Sequence, residues 1–197
     1  MSKGEETKER ILHQAAELFN TRGYAGASIS DIMRVTGLKK GGIYNHFQSK
    51  DDLALQAFDY AIGYIQKCYG DAVKNKRHAG ERLQAIIDAF YTNIKNPAIE
   101  GGCPLMNTAI ESDDTHPMLR QRAQAAMDSW RNMVCKIVKK GIARGEIRPE
   151  VNADEFATVM ISLLEGAVMM NKLYDDSIHL ERAIEYLNNY IKVELQV

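Results

Sequence analysis

Apolar residues recur at helical spacing along most of this chain. The first such run lies between Glu5 and Arg22, with charged residues on its other faces. That arrangement is typical of an amphipathic helix that buries one side. Gly23 follows it, and glycine accepts the left-handed backbone that commonly ends a helix. The apolar positions of this predicted helix are Ile11, Leu12, Ala15, Ala16, Leu18 and Phe19.

Two short helices are predicted next. Ser28 can cap a helix over residues 29–35, with Asp31 three positions on as the acidic partner of the cap. Gly37 ends this helix, and a third is predicted over residues 39–47. The turn between the two is too short to let them lie antiparallel, so the segment has the form of a helix-turn-helix.

The remainder of the chain also has the pattern of helices, and no segment is predicted to be a strand. A fourth helix opens at Ser49 and runs to about Lys76. Breaks at prolines, glycines and paired aspartates separate the later helices, which are predicted at 79–95, 104–112, 117–144, 153–173 and 178–195. We therefore expect an all-α fold with a three-helix N-terminal module over residues 1–48 and a larger helical domain over 49–197.

The last two predicted helices carry more apolar surface than one chain is expected to cover. Between Ala153 and Leu173 apolar residues occur on nearly every side, and the final helix adds more at steps of three and four. Excess of this kind indicates an interface between two copies of the chain. The residues predicted at such a homodimer interface are Phe156, Met160, Leu163, Leu164, Leu180, Ile184, Leu187 and Ile191.

The most specific signal is the segment from Ser28 to Leu53, which reads SISDIMRVTGLKKGGIYNHFQSKDDL. With the amphipathic helix before it, this segment resembles the reading heads of the tetracycline-repressor family of bacterial regulators. The resemblance is strong over residues 5–65 and general beyond them. The matching motif positions are Gly37, Leu38, Lys40, Gly41, Ile43, Tyr44, His46, Phe47, Ser49 and Lys50.

The resemblance implies that the protein binds a double-stranded DNA operator, with an inverted repeat expected for a dimer. The residue types in this segment are suited to DNA binding. Gly41 and Gly42 give the third helix a thin leading end suited to a major groove about 12 Å wide. Ile43 and Phe47 are expected to face the core of the module. The residues predicted at the DNA surface are Ser28, Lys39, Lys40, Gly41, Gly42, Tyr44, Asn45, His46 and Lys50.

Three departures from the family pattern bear on the operator. Lys39 stands where the family often has a capping Ser or Thr, Met33 where it often has Ala, and Gly42 where Thr is common. The third helix therefore lacks its usual cap and one possible base contact. Base recognition is expected to depend on Lys39, Lys40 and Asn45.

The resemblance further implies that a small-molecule effector binds the larger domain and releases the protein, as a repressor, from its operator. Aromatic and methionine side chains are suited to an apolar pocket, with a few polar groups fixing the ligand. Each of them also has an ordinary place in a helical core. The pocket residues predicted on this basis are Tyr60, Tyr64, Phe90, Tyr91, Cys103, Met106, Asn107, Trp130, Met133, Met169, Met170 and Tyr174.

Composition narrows the class of protein. The net charge of the chain is −1, but residues 1–50 hold eight Lys or Arg against five Asp or Glu, so the predicted DNA-binding end is basic. Three cysteines without CxxC spacing argue against a disulfide framework or a zinc site. No stretch approaches the roughly 20 unbroken apolar residues of a membrane span. We expect a cytoplasmic protein with no membrane association, metal or cofactor.

Three other functions remain open from the residues. A helical-bundle enzyme is one. However, the paired Glu-x-x-His segments of a di-iron site are absent, and the sequence shows no residues spaced as a catalytic nucleophile and its base. A constitutive DNA-binding protein or helical adaptor is another. Cys103, which follows two glycines at a helix start, could sense oxidants, but we expect it to pack in the core.

Overall fold

The computed structural model describes residues 2–197, and within that range the chain folds into helices joined by short turns. The all-α prediction is confirmed, since the only β-type pairing among the described residues is an isolated antiparallel bridge between Ile147 and Gln196. A π-helical turn, Ile191–Leu195, ends the helical part. The α-helices are α1 (Lys3–Arg22), α2 (Ile29–Thr36), α3 (Lys40–Tyr44), α4 (Lys50–Val73), α5 (Ala79–Lys95), α6 (Pro104–Ser112), α7 (Pro117–Ala143), α8 (Ala153–Tyr174) and α9 (Ile178–Tyr190).

The predicted bounds differ most at α1, α3 and the C-terminal end. α1 begins earlier because Ser2 forms a capping box with Glu5: the Ser2 hydroxyl accepts from the Glu5 amide at 3.3 Å, and the Glu5 carboxylate accepts from the Ser2 amide at 2.6 Å. α3 has only five residues: it ends at Tyr44, three residues before the predicted end, and its N-cap residue Lys39 makes no side-chain cap hydrogen bond. The final helix changes to a π-turn at Ile191, where its end pairs with the segment around Arg148.

The contacts divide the chain into two compact units that do not follow the predicted boundary after residue 48. The first unit contains the chain up to Ile65 together with Ala98–Ala126. Its core joins α1 to α3 with the first half of α4, and Ile99 is packed into it. Ile43 and Phe47 are 1% and 2% exposed, which confirms that they face the core.

The second unit contains Gln66–Pro97 and Met127–Val197. Its α8 and α9 pack against each other along most of their length, with Met160, Leu164 and Leu187 buried between neighbouring helices. The C-terminal segment is fixed by Arg148, whose backbone amide donates to the Leu195 carbonyl at 3.1 Å and whose guanidinium donates to the Gln196 carbonyl at 3.1 Å.

α8 is the one described helix that is long and apolar enough, by length and composition alone, to cross a membrane. The same test is passed by core helices of soluble proteins. Nine of its residues, including the acidic Glu165, are buried within the chain. Burial of this extent indicates a core helix.

Candidate nucleic-acid interface

Ser28 and Asp31 fix the start of α2. The Ser28 hydroxyl accepts from the Asp31 amide at 3.1 Å and donates to the Asp31 carboxylate at 2.6 Å, as the sequence predicts for a capping box. Arg22 and Arg34 also pair with this carboxylate, at 3.1 and 2.9 Å. The hydrogen bonds from the hydroxyl and amide of Ser28, and then that from Arg34, hold the pKa of Asp31 well below its usual range.

Gly37 makes the turn from α2 to α3. Its φ of +67° lies in the left-handed region, which glycine adopts without steric cost. The hydroxyl of Thr36, buried beside it, donates to the Ile32 carbonyl at 2.7 Å and accepts from the Leu38 amide at 3.3 Å. The Thr36 hydroxyl thus links the end of α2 to the residues after the turn, and this fixes the orientation of α3 relative to α2.

The outward side of α3 is basic and open. Lys39, Lys40, Gly41, Tyr44 and Asn45 are all exposed. The Lys40 ammonium lies 5.8 Å from the centroid of the Tyr44 ring, so the two side chains stand together on this surface. The structure therefore leaves five of the nine predicted DNA-contact residues exposed, in the five-residue helix α3 and at its two caps.

The two glycines of α3 are not required by packing within the chain. A Cβ built at Gly41 meets nothing within 4 Å, and one built at Gly42 meets only the Leu38 side chain at 3.6 Å, an ordinary contact. This finding argues against a helical bundle in which the Gly-Gly pair permits close helix packing. It leaves the thin leading end of α3 available to an external surface.

The other four predicted contacts have mixed surroundings. Ser28 is exposed but engaged in the α2 cap, while Gly42 and His46 are half-buried at the edge of the α3 surface. Lys50 differs most: its ammonium donates to the Tyr24 carbonyl at 2.6 Å and lies 4.1 Å from the centroid of the Tyr24 ring. Its charge is therefore engaged within the first unit by Tyr24, whereas Lys39 and Lys40 are exposed.

Tyr24, which follows the glycine at the end of α1, makes polar and ring contacts that the sequence did not predict. Its hydroxyl donates to the Asp51 carboxylate, and its ring meets the His116 ring edge-on with centroids 4.8 Å apart. Burial, followed by the hydrogen bond and charge of Asp51, raises the pKa of Tyr24 to about 12. The phenol is therefore neutral and remains a hydrogen-bond donor across the ordinary pH range.

The predicted effector-pocket residues divide between the two units. Tyr60, Tyr64, Cys103, Met106 and Asn107 belong to the first, and the other seven belong to the second. In the second unit, Trp130 contacts the rings of Tyr69 and Phe90, each with its centroid 5.7 Å away. Tyr64, Met169 and Tyr174 are exposed. Asn107 is occupied by hydrogen bonds to Asn20.

The first unit also contains a cavity that the sequence did not predict. It measures about 40 Å³ and lies among α1, α4, α6 and the start of α7. Three alanines of α4, at positions 54, 57 and 61, leave this space because their side chains are short. The lining also includes His116, whose Nε2 is buried with no hydrogen-bond partner among the described residues. No group of three or more His, Cys, Asp or Glu side chains in residues 2–197 is placed to hold a metal.

Six of the eight residues predicted at a dimer interface are buried within the chain itself: Phe156, Met160, Leu164, Leu180, Leu187 and Ile191. They pack α8 and α9 against their own neighbours, while Leu163 and Ile184 are half-buried. The apolar excess of α8 instead lies on an exposed stripe that repeats at steps of four and three. The stripe consists of the exposed residues Glu155, Val159, Ser162, Met169 and Leu173 with the half-buried Gly166 among them, and its large apolar members are Val159, Met169 and Leu173.

A capped α2, a tight left-handed turn and an α3 with an open basic surface define a helix-turn-helix DNA-binding protein. The family model described as "Bacterial regulatory proteins, tetR family" matches residues 11–57. The model described as "Tetracyclin repressor-like, C-terminal domain" matches residues 79–187, more than half of the chain. The chain therefore belongs to the tetR family of transcriptional regulators.

Known relatives agree over the whole length. A TetR transcriptional regulator from Chloroflexus aurantiacus is 49% identical, with a TM-score of 0.95 and full coverage of both chains. A TetR-family regulator from Cytophaga hutchinsonii is 34% identical, with a TM-score of 0.91, covering 100% of this chain and 98% of that one. The HTH-type transcriptional repressor DhaR of Mycobacterium sp. (strain GP1) is 23% identical over 94% of this chain and 89% of its own. These relatives are regulators and not enzymes.

Proposed function

We propose that this regulator is a cytoplasmic repressor that binds an inverted-repeat operator as a homodimer and is released by a small-molecule effector. The observation that carries the DNA-binding part is the open surface of α3, where a Cβ added at Gly41 would meet no atom within 4 Å. Repression is supported by the relative DhaR, whose name describes a transcriptional repressor.

We assign the DNA contacts to those predicted residues whose side chains or backbone are exposed on and around α3. Lys39 and Asn45 reach the base edges, since lysine and asparagine offer the hydrogen-bond groups that distinguish guanine and adenine in the major groove, and Lys40 contacts phosphate. Tyr44 contacts phosphate, and the backbone of Gly41 approaches the duplex. Ser28, Gly42 and His46 lie at the edge of this contact. Lys50 supports the interface from inside by holding Tyr24.

The homodimer is proposed to form through the exposed α8 stripe. Val159 and Met169 are 54% and 53% exposed, which is high for large apolar side chains on a long helix. The stripe continues into a groove of about 340 Å³ between α8 and α9, where Tyr186 and Tyr190 are exposed. Two copies packed about a two-fold axis cover both features.

The effector site is proposed to include the aromatic residues of the second unit. Trp130 is 7% exposed, and its indole N–H has no hydrogen-bond partner among the described residues. A buried donor without a partner is costly unless something accepts from it. An amphipathic molecule with an acceptor oxygen or nitrogen fits this requirement, with Phe90 and Met133 as apolar neighbours in the same unit.

Two successive experiments test these proposals, the first on operator binding by the dimer and the second on release by an effector. Duplexes enriched from a random-sequence library by the purified protein should share an inverted repeat, and sedimentation should show one dimer bound to each duplex. Compounds found by thermal shift are then titrated by calorimetry against free and operator-bound protein. Coupling is reciprocal, so an effector that weakens operator binding tenfold binds the operator complex about tenfold more weakly. Enrichment of unrelated sequences contradicts operator recognition, and equal affinities for every bound compound contradict release by an effector.

A further inference from the structure

Two polar residues of α6 point from one face of that helix to the N-terminal helices. Asn107 and Glu111 are four positions apart, so they lie one turn above each other on the same side of α6. Both belong to the first compact unit, together with the residues that they contact. The sequence placed Asn107 in the effector pocket and gave Glu111 no role.

Glu111 holds the turn between α1 and α2. One carboxylate oxygen accepts from the Tyr24 amide at 2.8 Å, and the other accepts from the Ala25 amide at 2.9 Å. The carboxylate therefore binds two consecutive backbone N–H groups that lie outside any helix. Hydrogen bonds to an ionised acceptor are shorter and stronger than neutral ones.

Asn107 holds the end of α1 in a second place. Its side-chain amide donates to the Asn20 backbone carbonyl at 3.1 Å and to the Asn20 side-chain oxygen at 2.8 Å. The Asn20 amide group in turn donates to the carbonyls of Glu100 and Gly102, at 2.8 and 3.1 Å. We call Asn20, Asn107 and Glu111 the polar latch.

Two glycines provide the close approach that the latch needs. Gly23 has a φ of +76°, and a Cβ there would lie 2.6 Å from a Glu111 carboxylate oxygen. Gly101 has a φ of +112°, and a Cβ there would lie 2.8 Å from the Asn20 backbone oxygen. Any other residue would be strained at these φ values and would push the latch apart.

The turn held by Glu111 leads directly to the DNA-binding elements. Ser28, which caps α2, is only three residues beyond Ala25. On the opposite side, the Lys50 ammonium and the Asp51 carboxylate bind the carbonyl and hydroxyl of Tyr24. The amides, carbonyl and side chain of one short turn are thus all bound, and the entry to α2 is fixed.

We propose that Glu111 and Asn107 are positioning residues for operator recognition: through the polar latch they set the entry of α2 and thereby the placement of α3 on DNA. Neither residue contacts DNA in this arrangement. Their effect is on the placement of the helix-turn-helix, so it should appear in specific binding and leave non-specific phosphate attraction unchanged.

The test uses Glu111→Gln in the full-length dimer, with Glu100→Gln as the matched control. Both variants remove one negative charge from the same unit, but the Glu100 side chain makes no hydrogen bond or ion pair with the latch. Affinity is measured for a duplex enriched by the wild-type protein and for a scrambled duplex of equal length. Removing a negative charge by itself favours binding to a polyanion, so weaker binding cannot be a charge effect.

We expect Glu111→Gln to bind the enriched duplex about tenfold more weakly and the scrambled duplex no more weakly than wild type. Asn107→Ala should show the same loss of specificity, and Glu100→Gln should lose none. Circular dichroism at the assay temperature establishes that each variant is folded. Specificity ratios equal to that of wild type in both latch variants would overturn the proposal.

A measurement on the unaltered protein keeps the proposal testable if the Glu111 variant does not fold. The amides of Tyr24 and Ala25 lie in a turn, where exchange with solvent is ordinarily fast. With both bound to Glu111, we expect their hydrogen exchange to be slowed at least as much as that of the last amides of α1. Fast exchange at both positions in the free dimer would rule out a latch that positions the turn.

Discussion

The ammonium of Lys50 donates a 2.6 Å hydrogen bond to the backbone carbonyl of Tyr24 and lies over the ring of the same residue. A lysine in a DNA-binding motif ordinarily suggests a phosphate contact. Here the charge contributes to the structure of the turn before α2, and this placement separates Lys50 from the exposed lysines of α3.

Lys40 and Lys50 should therefore respond differently to substitution. Lys40→Ala is expected to weaken binding to all duplexes and to reduce the slope of log K against log salt by roughly 0.9, the loss of one phosphate contact. Lys50→Ala should leave that slope unchanged and lower the thermal stability of the protein. Binding over a salt series, with thermal unfolding alongside, separates the two. An equal fall in slope for Lys50→Ala would place its ammonium on the DNA.

Gly41→Ala should raise the stability of the fold and weaken operator binding. A Cβ at Gly41 has open space around it and the residue is helical, so alanine should stabilise the fold by up to about 1 kcal/mol. The same methyl group would stand on the surface that meets the duplex and weaken binding. Gly63→Ala in α4 is the matched control, since Gly63 is also helical with nothing within 4 Å. Operator affinity unchanged in Gly41→Ala would show that α3 does not approach DNA through this residue.

The dimer should depend on exposed residues and not on the buried ones that the sequence indicated. Met169→Glu is expected to give folded monomers, because it places a charge on the exposed α8 stripe. Leu187→Glu should instead unfold the second unit, since this side chain is 2% exposed. Ile110→Glu, at a 68% exposed apolar residue outside the stripe, is the control. Sedimentation and circular dichroism report the two properties, and a dimeric Met169→Glu at micromolar concentration would exclude this stripe.

Asp31 should make stability depend on pH in the acid range. Its pKa is lowered in the folded protein from an ordinary value of 3.8, so its contribution is fully present above that value. The contribution is lost as the pH falls through the depressed folded pKa. Asp31→Asn should therefore be less stable than wild type at pH 7, and the difference should shrink progressively as the pH falls below 3.8. Thermal unfolding of both proteins across this range measures the gap, and a gap independent of pH would contradict the capping role of the carboxylate.

The helices could be predicted closely because their signals are local. The cap at Ser28 and the breaks at Gly37 and Gly145 act within a few residues. The latch could not be predicted in this way, because Asn20 and Asn107 are 87 positions apart and neither belongs to a motif. Contacts at that separation arise only from the tertiary fold.

The faces of α8 illustrate the other limit. Apolar residues lie on nearly every side of this helix, so its sequence predicts that most of its surface is buried. The sequence does not show which side packs inside its own chain and which side is left for a second copy. Met160 is fully buried within the chain while Val159, its neighbour, is more than half exposed. The motif around α3 indicated function because packing within the chain does not require exposed polar residues and glycines at those positions.

The position of Trp130 has a practical consequence for folding studies. It is the single tryptophan of the chain, and inside the second unit it is stacked on Phe90 and contacts the tilted ring of Tyr69. Its fluorescence therefore reports the loosening of that unit alone, whereas far-ultraviolet circular dichroism follows the helices of both. If the two signals change at different denaturant concentrations, the units unfold separately. Without any added label, one intrinsic fluorophore thus measures whether the DNA-binding part and the remainder behave as one cooperative structure.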